Sequence, residues 1–303
     1  MASKRVLVSG LTNIENSVRV HSFPIEYSPI DYLFDDSDIS ISGTAFNIAS
    51  ALKTLGDEVE YISIVGKDLP GDWIINTLKG KGIKVDNINR LMDRTCSSTV
   101  LYDDNGKRKI YCDLRNIQDI VLPIDQYDNV IQECDGLVIT NINFNDNLIR
   151  QAKRYKKTIF SDVHVLSDIH DSYNKRFMEN ADILFLSDEH LPCSPEEFLM
   201  AIENEYHNQY IILGRGSKGS LLLGGKNKEF HYVDAVHTRE VVNTVGAGDA
   251  LLSAFVHFYL KGDNALDSLK KATFFASYKI GESGGSVGFL NEKELLDLYK
   301  KGI

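Results

Sequence analysis

Residues 241–262 read VVNTVGAGDALLSAFVHFYLKG, a polar turn with two glycines followed by an apolar run. Glycine allows the backbone to point successive N–H groups to one side, and such a concavity binds anions. The twelve residues after Asp249 are good helix formers, almost all apolar, and Gly262 ends them. The first turn of a helix adds unpaired N–H donors and a positive dipole end. The stretch therefore predicts a buried helix whose N-terminus receives a phosphate or a developing oxyanion.

Asp249 stands in the first turn of this predicted helix and has two interpretations. An acidic residue there often only caps the helix by accepting backbone N–H groups. A pair of glycines before a wholly apolar helix instead favours an acid that works beside a bound anion. We expect the second role for Asp249.

Strands and helices alternate along the rest of the chain. The predicted strands are Arg5–Ser9, Glu58–Val65, Gly136–Thr140, Thr158–Asp162, Ile183–Leu186, Tyr210–Leu213 and Ser220–Leu223. The predicted helices are Thr44–Leu55, Asp72–Lys81, Asp146–Tyr155, Pro195–Glu205, Ala247–Leu260 and Ala265–Ile280. This alternation predicts an α/β fold, a three-layer sandwich with a mostly parallel central sheet covered by helices.

Two segments, residues 13–42 and 95–116, break the alternation and vary loosely with period two. Asn105-Gly106 lies between two such runs and is the strongest short signal for a hairpin with a type I′ turn. We expect the two segments to pair into a small β-sheet that acts as a lid over a cleft. An ordinary edge hairpin on the main sheet is the alternative.

The composition limits the partners. With 33 Lys and Arg against 43 Asp and Glu, the net charge is −10, which argues against nucleic acid or an anionic membrane as the main partner. The four cysteines form no CxxC pair, which excludes a zinc ribbon. No apolar run approaches the length of a membrane span or a signal peptide, so we expect a cytoplasmic protein.

Two further motifs match well-known signatures without their context. Residues 214–219 (GRGSKG) fit GxGxxG, but another strand rather than a helix follows, so a β-hairpin is favoured over a dinucleotide site. Residues 281–285 (GESGG) fit GxSxG, but a helical pattern precedes them where a nucleophile elbow needs a strand. A helix end and loop is the favoured interpretation, and a serine hydrolase using Ser283 is a weak alternative.

Four stretches together resemble the ribokinase-like (pfkB) carbohydrate kinases. Residues 243–249 (NTVGAGD) resemble the family's D-T-x-G-A-G-D signature, and residues 43–56 (GTAFNIASALKTLG) resemble its N-terminal G-G-x-x-x-N-x-A-x-x-L-x-x-L-G pattern. Residues 65–71 (VGKDLPG) and 211–219 (IILGRGSKG) are similar to two further family motifs. The motifs occur in family order and span nearly the whole chain.

The resemblance implies a single ribokinase-like kinase domain over residues 1–303, with the small lid described above. It implies an ATP-dependent kinase that transfers the γ-phosphoryl group to a hydroxyl, a primary alcohol in the usual case, of a sugar or nucleoside. Asp249 would be the base, and the amides of Gly246, Ala247 and Gly248 would form the anion hole. A carboxylate at a helix N-terminus should be a weak base. Mg²⁺ would accompany ATP, with ligands that the sequence does not identify.

The resemblance also implies binding residues. On the substrate side they are Asn13, Glu15, Gly43 and Asn47, where Glu15 stands in place of the family's Asp. We expect Gly43 to let the substrate approach the backbone, and Asn47 to offer a donor and an acceptor. On the nucleotide side they are Ser187, Gly214, Gly216, Gly219, Asn243 and Thr244.

Several positions depart from the family pattern. Asn243 replaces an Asp that supports the anion-hole loop near a monovalent-cation site, so K⁺ activation stays open. Ser42 replaces the first glycine of the N-terminal pair, and Gly214 replaces a Thr beside the nucleotide. Residues 187–190 (SDEH) stand where the family has N-x-x-E, and Asp188 or Glu189 could compensate. The glycine turn that forms the anion-binding concavity, called the nest, contains Gly246 and Gly248. Since Asp249 and both nest glycines are intact, we expect an active enzyme.

Two alternative functions stay open. A sugar-phosphate kinase would need basic side chains in the sugar cleft, and a binding or sensing protein would keep the scaffold without turnover. A homodimer through the lid is expected from its exposed edge. The basic candidates for a sugar-phosphate site are Arg94, Lys107, Arg108, Lys109 and Arg115.

Overall fold

The computed structural model describes residues 3–104, 107–123 and 125–302. Its strands are β1 (Arg5–Ser9), β2 (Asn13–Arg19), β3 (Ser37–Ser42), β4 (Glu58–Gly66), β5 (Ile88–Met92), β6 (Ser97–Tyr102), β7 (Arg108–Asp113), β8 (Gly136–Ile139), β9 (Ile159–Val165), β10 (Ile183–Ser187), β11 (Tyr210–Gly214), β12 (Ser220–Gly224) and β13 (Glu229–Val233). Its helices are α1 (Thr44–Leu55), α2 (Leu69–Gly80), α3 (Asp128–Glu133), α4 (Asp146–Arg154), α5 (Lys175–Asn180), α6 (Pro195–Tyr206), α7 (Ala247–Leu260), α8 (Ala265–Lys279) and α9 (Glu292–Lys301).

Within the described residues, nine strands form the central sheet in the order β13-β12-β11-β10-β9-β8-β1-β4-β5. The strands from β11 to β5 run parallel, and β12 and β13 add an antiparallel edge. The strand order reverses at β1, which lies between β4 and β8. In open α/β sheets such a reversal leaves a crevice at the carboxyl ends of the strands, where ligands bind.

Helices cover both faces of this sheet. Val6 and Val8 of β1 join the core beneath α1, α7 and α8, whereas Leu7 joins the core beneath α4 and α6. Because the strands are buried on both faces, they are continuous apolar runs rather than alternating ones. The predicted three-layer sandwich is therefore confirmed.

A separate four-stranded sheet, the lid sheet, has the order β3-β2-β6-β7. Its central pair, β2 and β6, is parallel, and the edge strands β3 and β7 are antiparallel to their neighbours. The predicted small sheet is present, and an edge hairpin on the main sheet is excluded. Strands β6 and β7 form the expected hairpin, but Asn105-Gly106 lies outside the described residues. The assignment of residues 1–303 to one kinase domain stays a prediction.

The main differences from the predicted elements lie at helix α2 and at short or terminal segments. Helix α2 begins at Leu69, three residues before the predicted Asp72, because the Asp68 side chain accepts from the Gly71 N–H and Pro70 stands in the first turn. The sequence did not predict β5, β13, α3, α5 or α9. Among the described residues no helix is long and apolar enough to span a membrane.

Candidate active site at the carboxyl edge of the central sheet

The 243–248 loop enters helix α7 through a turn that only glycine fits. Gly246 precedes the helix in the left-handed conformation, with φ of 77° and ψ of 9°. A Cβ at Gly246 would also lie 2.6 Å from the Gly285 carbonyl oxygen. Both the dihedral angles and the close backbone contact require glycine. The predicted turn before a buried helix is therefore present, and residues 250–258 of α7 are buried.

Hydrogen bonds within the loop hold some of its amides and leave others free. The Val245 N–H donates to Asn243 Oδ1 at 2.8 Å, so the amide that replaces the family's carboxylate keeps its acceptor role. The Ala247 N–H, expected in the anion hole, instead donates to the Thr244 carbonyl at 3.2 Å. Among the described residues no group accepts from the N–H of either nest glycine. Both N–H groups are therefore free to donate to a ligand, as is the Thr244 N–H, which also has no acceptor among the described residues.

The Asp249 carboxyl lies beside these donors. Asn47 Nδ2 donates to Asp249 Oδ2 at 2.7 Å. Burial raises the pKa of Asp249 to about 6, against the lowering effects of the Asn47 hydrogen bond and of the charges of His164 and Lys279, and Asp162 adds to the rise. Burial thus acts against the expectation of a weak base, because desolvation raises the pKa of this carboxyl.

Of the substrate-side candidates, Asn47 contacts Asp249 directly. Asn47 and Asn13 are only 4% and 3% exposed. The Asn13 Nδ2 donates to Ser98 Oγ at 3.0 Å. The Oδ1 atoms of Asn13 and Asn47 are buried and accept no hydrogen bond within the described residues. Half-buried Glu15 lies on β2, where it pairs with Ser98 of β6.

Gly43 is required by the packing of the main chain, whereas we expected it to let the substrate approach the backbone. It precedes α1, and a Cβ there would lie 2.5 Å from the Leu11 carbonyl oxygen. Its carbonyl accepts from the Asn47 N–H at 3.0 Å, in the first turn of α1. The close packing of two main-chain segments requires this glycine, and that packing places Asn47.

The nucleotide-side candidates come from neighbouring strand ends. Ser187 at the end of β10 pairs with Gly214 at the end of β11. Gly216 and Gly219 lie in the turn that leads into β12, and β12 pairs antiparallel with β11. The hairpin interpretation of residues 214–219 is confirmed. The Arg108 guanidinium of the lid sheet donates to Thr244 Oγ1 at 3.3 Å.

Arg108 also lies 4.0 Å from Glu189. It is the basic candidate that reaches across the cleft, and it does so on the nucleotide side. Arg115 instead pairs with Asp113 at 2.6 Å, and Lys109 stacks on Tyr111 at 4.9 Å. Arg94 and Lys107 are exposed.

The sequence analysis missed three residues that surround Asp249. Asp162 and His164 lie near the carboxyl end of β9, and Lys279 is the last residue of α8. The position of Asp162 at the end of a predicted parallel strand was a usable signal. Nothing in a helical pattern shows that a lysine is fully buried, as Lys279 is.

The GxSxG match at residues 281–285 has no nucleophile elbow. Helix α8, not a strand, runs into Gly281 and ends at Lys279. The serine hydrolase alternative using Ser283 is therefore excluded.

The metal donors near the site are few. In the described ranges, no group of three or more His, Cys, Asp or Glu side chains could hold a metal ion. The carboxylates of Asp188 and Glu189 follow Ser187 on the nucleotide side. One or two carboxylates suit Mg²⁺, which keeps several waters and shares substrate phosphates.

Known proteins match this chain in sequence and in fold. A model of the pfkB family of carbohydrate kinases matches residues 3–292. The fructosamine kinase FrlD of Bacillus subtilis is 22% identical over 255 residues, which are 84% of this chain and 89% of that relative. The microbiome-derived acarbose kinase Mak1 superposes with a TM-score of 0.88 at 20% identity, covering 99% of this chain and 100% of the other. A ribokinase of Arabidopsis thaliana, solved with ribose and ATP, superposes with a TM-score of 0.82 at 18% identity, covering 99% of each chain.

Proposed function

The chain belongs to the pfkB family of carbohydrate kinases, and on that premise we propose that it transfers the γ-phosphoryl group of ATP to a primary hydroxyl of a sugar or nucleoside. Asp249 accepts the hydroxyl proton. The N–H groups of Gly246 and Gly248 receive the charge of the transferring phosphoryl group. The Ala247 N–H joins them only if it leaves the Thr244 carbonyl.

One observation carries this proposal: a carboxylate and two free main-chain donors share the N-terminus of a buried helix. Asn47 Nδ2 fixes the Asp249 carboxylate at 2.7 Å. Phosphoryl transfer needs alignment and charge stabilisation more than covalent chemistry, and this arrangement supplies both.

The state of Asp249 suits a base. Its pKa is about 6, so the group is ionised at neutral pH and is still more basic than an ordinary carboxylate. A base whose pKa lies near the working pH combines the required protonation state with proton affinity. Proton transfer can therefore accompany attack of the hydroxyl on phosphorus.

The acceptors Asn13 Oδ1 and Asn47 Oδ1 support a polyhydroxylated substrate. A buried carbonyl oxygen without a donor costs about 1–3 kcal/mol, and a ligand hydroxyl would remove that cost. Half-buried Glu15 adds a third acceptor on the same sheet as Asn13. Three acceptors at these positions favour a free sugar or nucleoside over a sugar phosphate.

Mg²⁺ bound with the nucleotide would neutralise charge on the phosphates. Asp188 and Glu189 are the carboxylates that would hold it, together with water. On the nucleotide side, Ser187, Gly214, Gly216, Gly219, Asn243 and Thr244 would line the ATP site. Asn243 keeps an acceptor without a charge, and K⁺ activation is therefore tested in the same experiment.

The test is an ADP-release screen over free sugars, nucleosides and sugar phosphates, with K⁺ or Na⁺ as the monovalent cation. We expect turnover with a free sugar or nucleoside. In Asp249→Asn, kcat should fall about 10²- to 10⁴-fold with an unchanged melting temperature. Asp267→Asn is the matched control, because Asp267 is the first-turn acid of α8 and lies outside the site.

Wild-type turnover in Asp249→Asn would refute the assigned base. Tight binding of ATP and sugar without ADP release would favour a sensing protein instead. A preference for phosphorylated sugars would identify a sugar-phosphate kinase.

A further inference from the structure

Lys279, the last residue of helix α8, is fully buried. In the described part of the chain no other lysine or arginine is buried to this degree. Burying an ammonium group costs free energy unless it is paired or hydrogen-bonded. The structure gives Lys279 no carboxylate within ion-pair distance among the described residues, so the reason for its burial must lie in the groups that it does contact.

The Nζ of Lys279 donates to the carbonyl oxygen of Val245. This carbonyl belongs to the same peptide unit as the N–H of Gly246. In a planar trans peptide the C=O and the N–H point in opposite directions. Because Lys279 holds the carbonyl on the side of α8, the Gly246 N–H must point away from α8.

Other bonds tie the same loop to the same helix end. The N–H groups of Val242 and Asn243 both donate to the Ile280 carbonyl, at 2.9 and 3.0 Å. These bonds fix the start of the loop but not the orientation of the Val245–Gly246 peptide. The Lys279 ammonium is the contact that acts on that peptide.

The charge of Lys279 reaches Asp249 as well. It lowers the pKa of Asp249, and the carboxylates of Asp249 and Glu15 in turn raise the pKa of Lys279. The Lys279 ammonium, on the α8 side of the loop, thus favours the ionised form of Asp249. It also adds positive potential where negative charge accumulates during transfer.

We propose that Lys279 is a positioning residue of the phosphoryl-transfer site, whose ammonium holds the Val245 carbonyl and thereby aims the Gly246 N–H at the transferring group. This inference rests on the proposed function. Lys279 acts as a cation built into the chain, so the reaction needs no dissolved monovalent cation behind the loop.

The test compares two substitutions of different volume. Lys279→Met fills the space without a charge, whereas Lys279→Ala leaves space for a small cation. We expect both to lower kcat on the order of 10²-fold with little change in the KM of the sugar. Ammonium, methylammonium or K⁺ should restore part of the rate in Lys279→Ala and none in Lys279→Met. A structural role alone predicts no such rescue.

Lys271→Met is the matched control, because Lys271 lies on the same helix and its ammonium pairs with Asp263. It should keep the wild-type rate, and the wild type should turn over equally in Na⁺ and K⁺. An unchanged kcat in Lys279→Met, or strong K⁺ activation of the wild type, overturns the inference while the proposed function stands.

A second readout does not need turnover. Calorimetry measures the binding of ADP alone and of ADP with aluminium fluoride, which imitates the transferring phosphoryl group. Lys279→Met should keep the affinity for ADP and lose at least tenfold for the fluoride complex. Equal affinities in the wild type and the variant contradict the inference even if no acceptor substrate is found.

Discussion

As the proposed base, Asp249 can accept a proton only as a carboxylate, so we expect its pKa to set the acidic limit of activity. Burial holds that pKa at about 6, with Asn47, His164, Asp162 and Lys279 as the neighbouring groups that modify it. The carboxyl is protonated below this pKa. We therefore expect kcat to fall about tenfold for each pH unit below 6, measured by ADP release under saturating substrates.

We expect the alkaline side of the same profile to depend on Lys279. Burial lowers the pKa of Lys279 to about 8, while Asp249 and Glu15 raise it and Arg239 lowers it further. Above this pH the ammonium loses its charge, so the rate should fall again. The residual rate of Asp249→Asn should lack the acidic limb, and that of Lys279→Met should lack the alkaline limb. A flat profile from pH 5 to 9 in the wild type would contradict both assignments.

At the scale of elements, helix α7 offers a direct test of the nest, because a glycine with positive φ stands at each of its ends. Gly246→Ala places a Cβ 2.6 Å from the Gly285 carbonyl oxygen and strains a backbone with φ of 77°. We expect a loss of about 1–2 kcal/mol in the free energy of unfolding and at least a 10²-fold loss of kcat.

Gly262→Ala is the control for this prediction. Gly262 has φ of 103° and open space around a Cβ, so its substitution shares the backbone strain without touching the site. It should cost the part of that stability that comes from backbone strain, measured by urea unfolding, and leave kcat unchanged. Equal losses of activity in the two variants would show that helix stability, not the nest, limits the rate.

The observed ends of the helices show which sequence signals are sufficient to predict them. Helices α1 and α7 begin and end where the sequence predicts, because glycines and a continuous apolar pattern bound them. The start of α2 differs from the prediction because the Asp68 cap and Pro70 begin the helix at Leu69. Strands β5 and β13 are short, and their pairing to β4 and β12 decides that they are strands.

At the scale of the whole molecule, the lid sheet and the connection between its strands β2 and β3 expose apolar side chains that suit a contact between two copies. Tyr27 is 94% exposed, Phe34 84% and Ile39 59%, in β3 and the residues that precede it. We propose a homodimer through this sheet, since exposed apolar surface and an open strand edge both favour association.

Sedimentation velocity at micromolar concentration tests this prediction. The wild type should sediment as a dimer, and Ile39→Asp should shift it to the monomer without lowering the melting temperature. Val121→Asp is the control, because Val121 is 76% exposed and lies outside the lid sheet. A monomeric wild type would rule out the dimer.

The sequence by itself determined the fold class, the lid segments and the glycine turn before a buried helix, because periodicity and glycine position are local signals that a chain carries without knowledge of its neighbours. The residues proposed as base and binding groups came from the resemblance of its motifs to the pfkB family. Only the tertiary structure decided that burial raises the pKa of Asp249 and that Asn47 holds its carboxylate. It also turned the Ala247 N–H to the Thr244 carbonyl and placed Lys279 behind the nest. Desolvation and hydrogen bonding depend on atoms brought together from distant parts of the chain, and no local pattern encodes them.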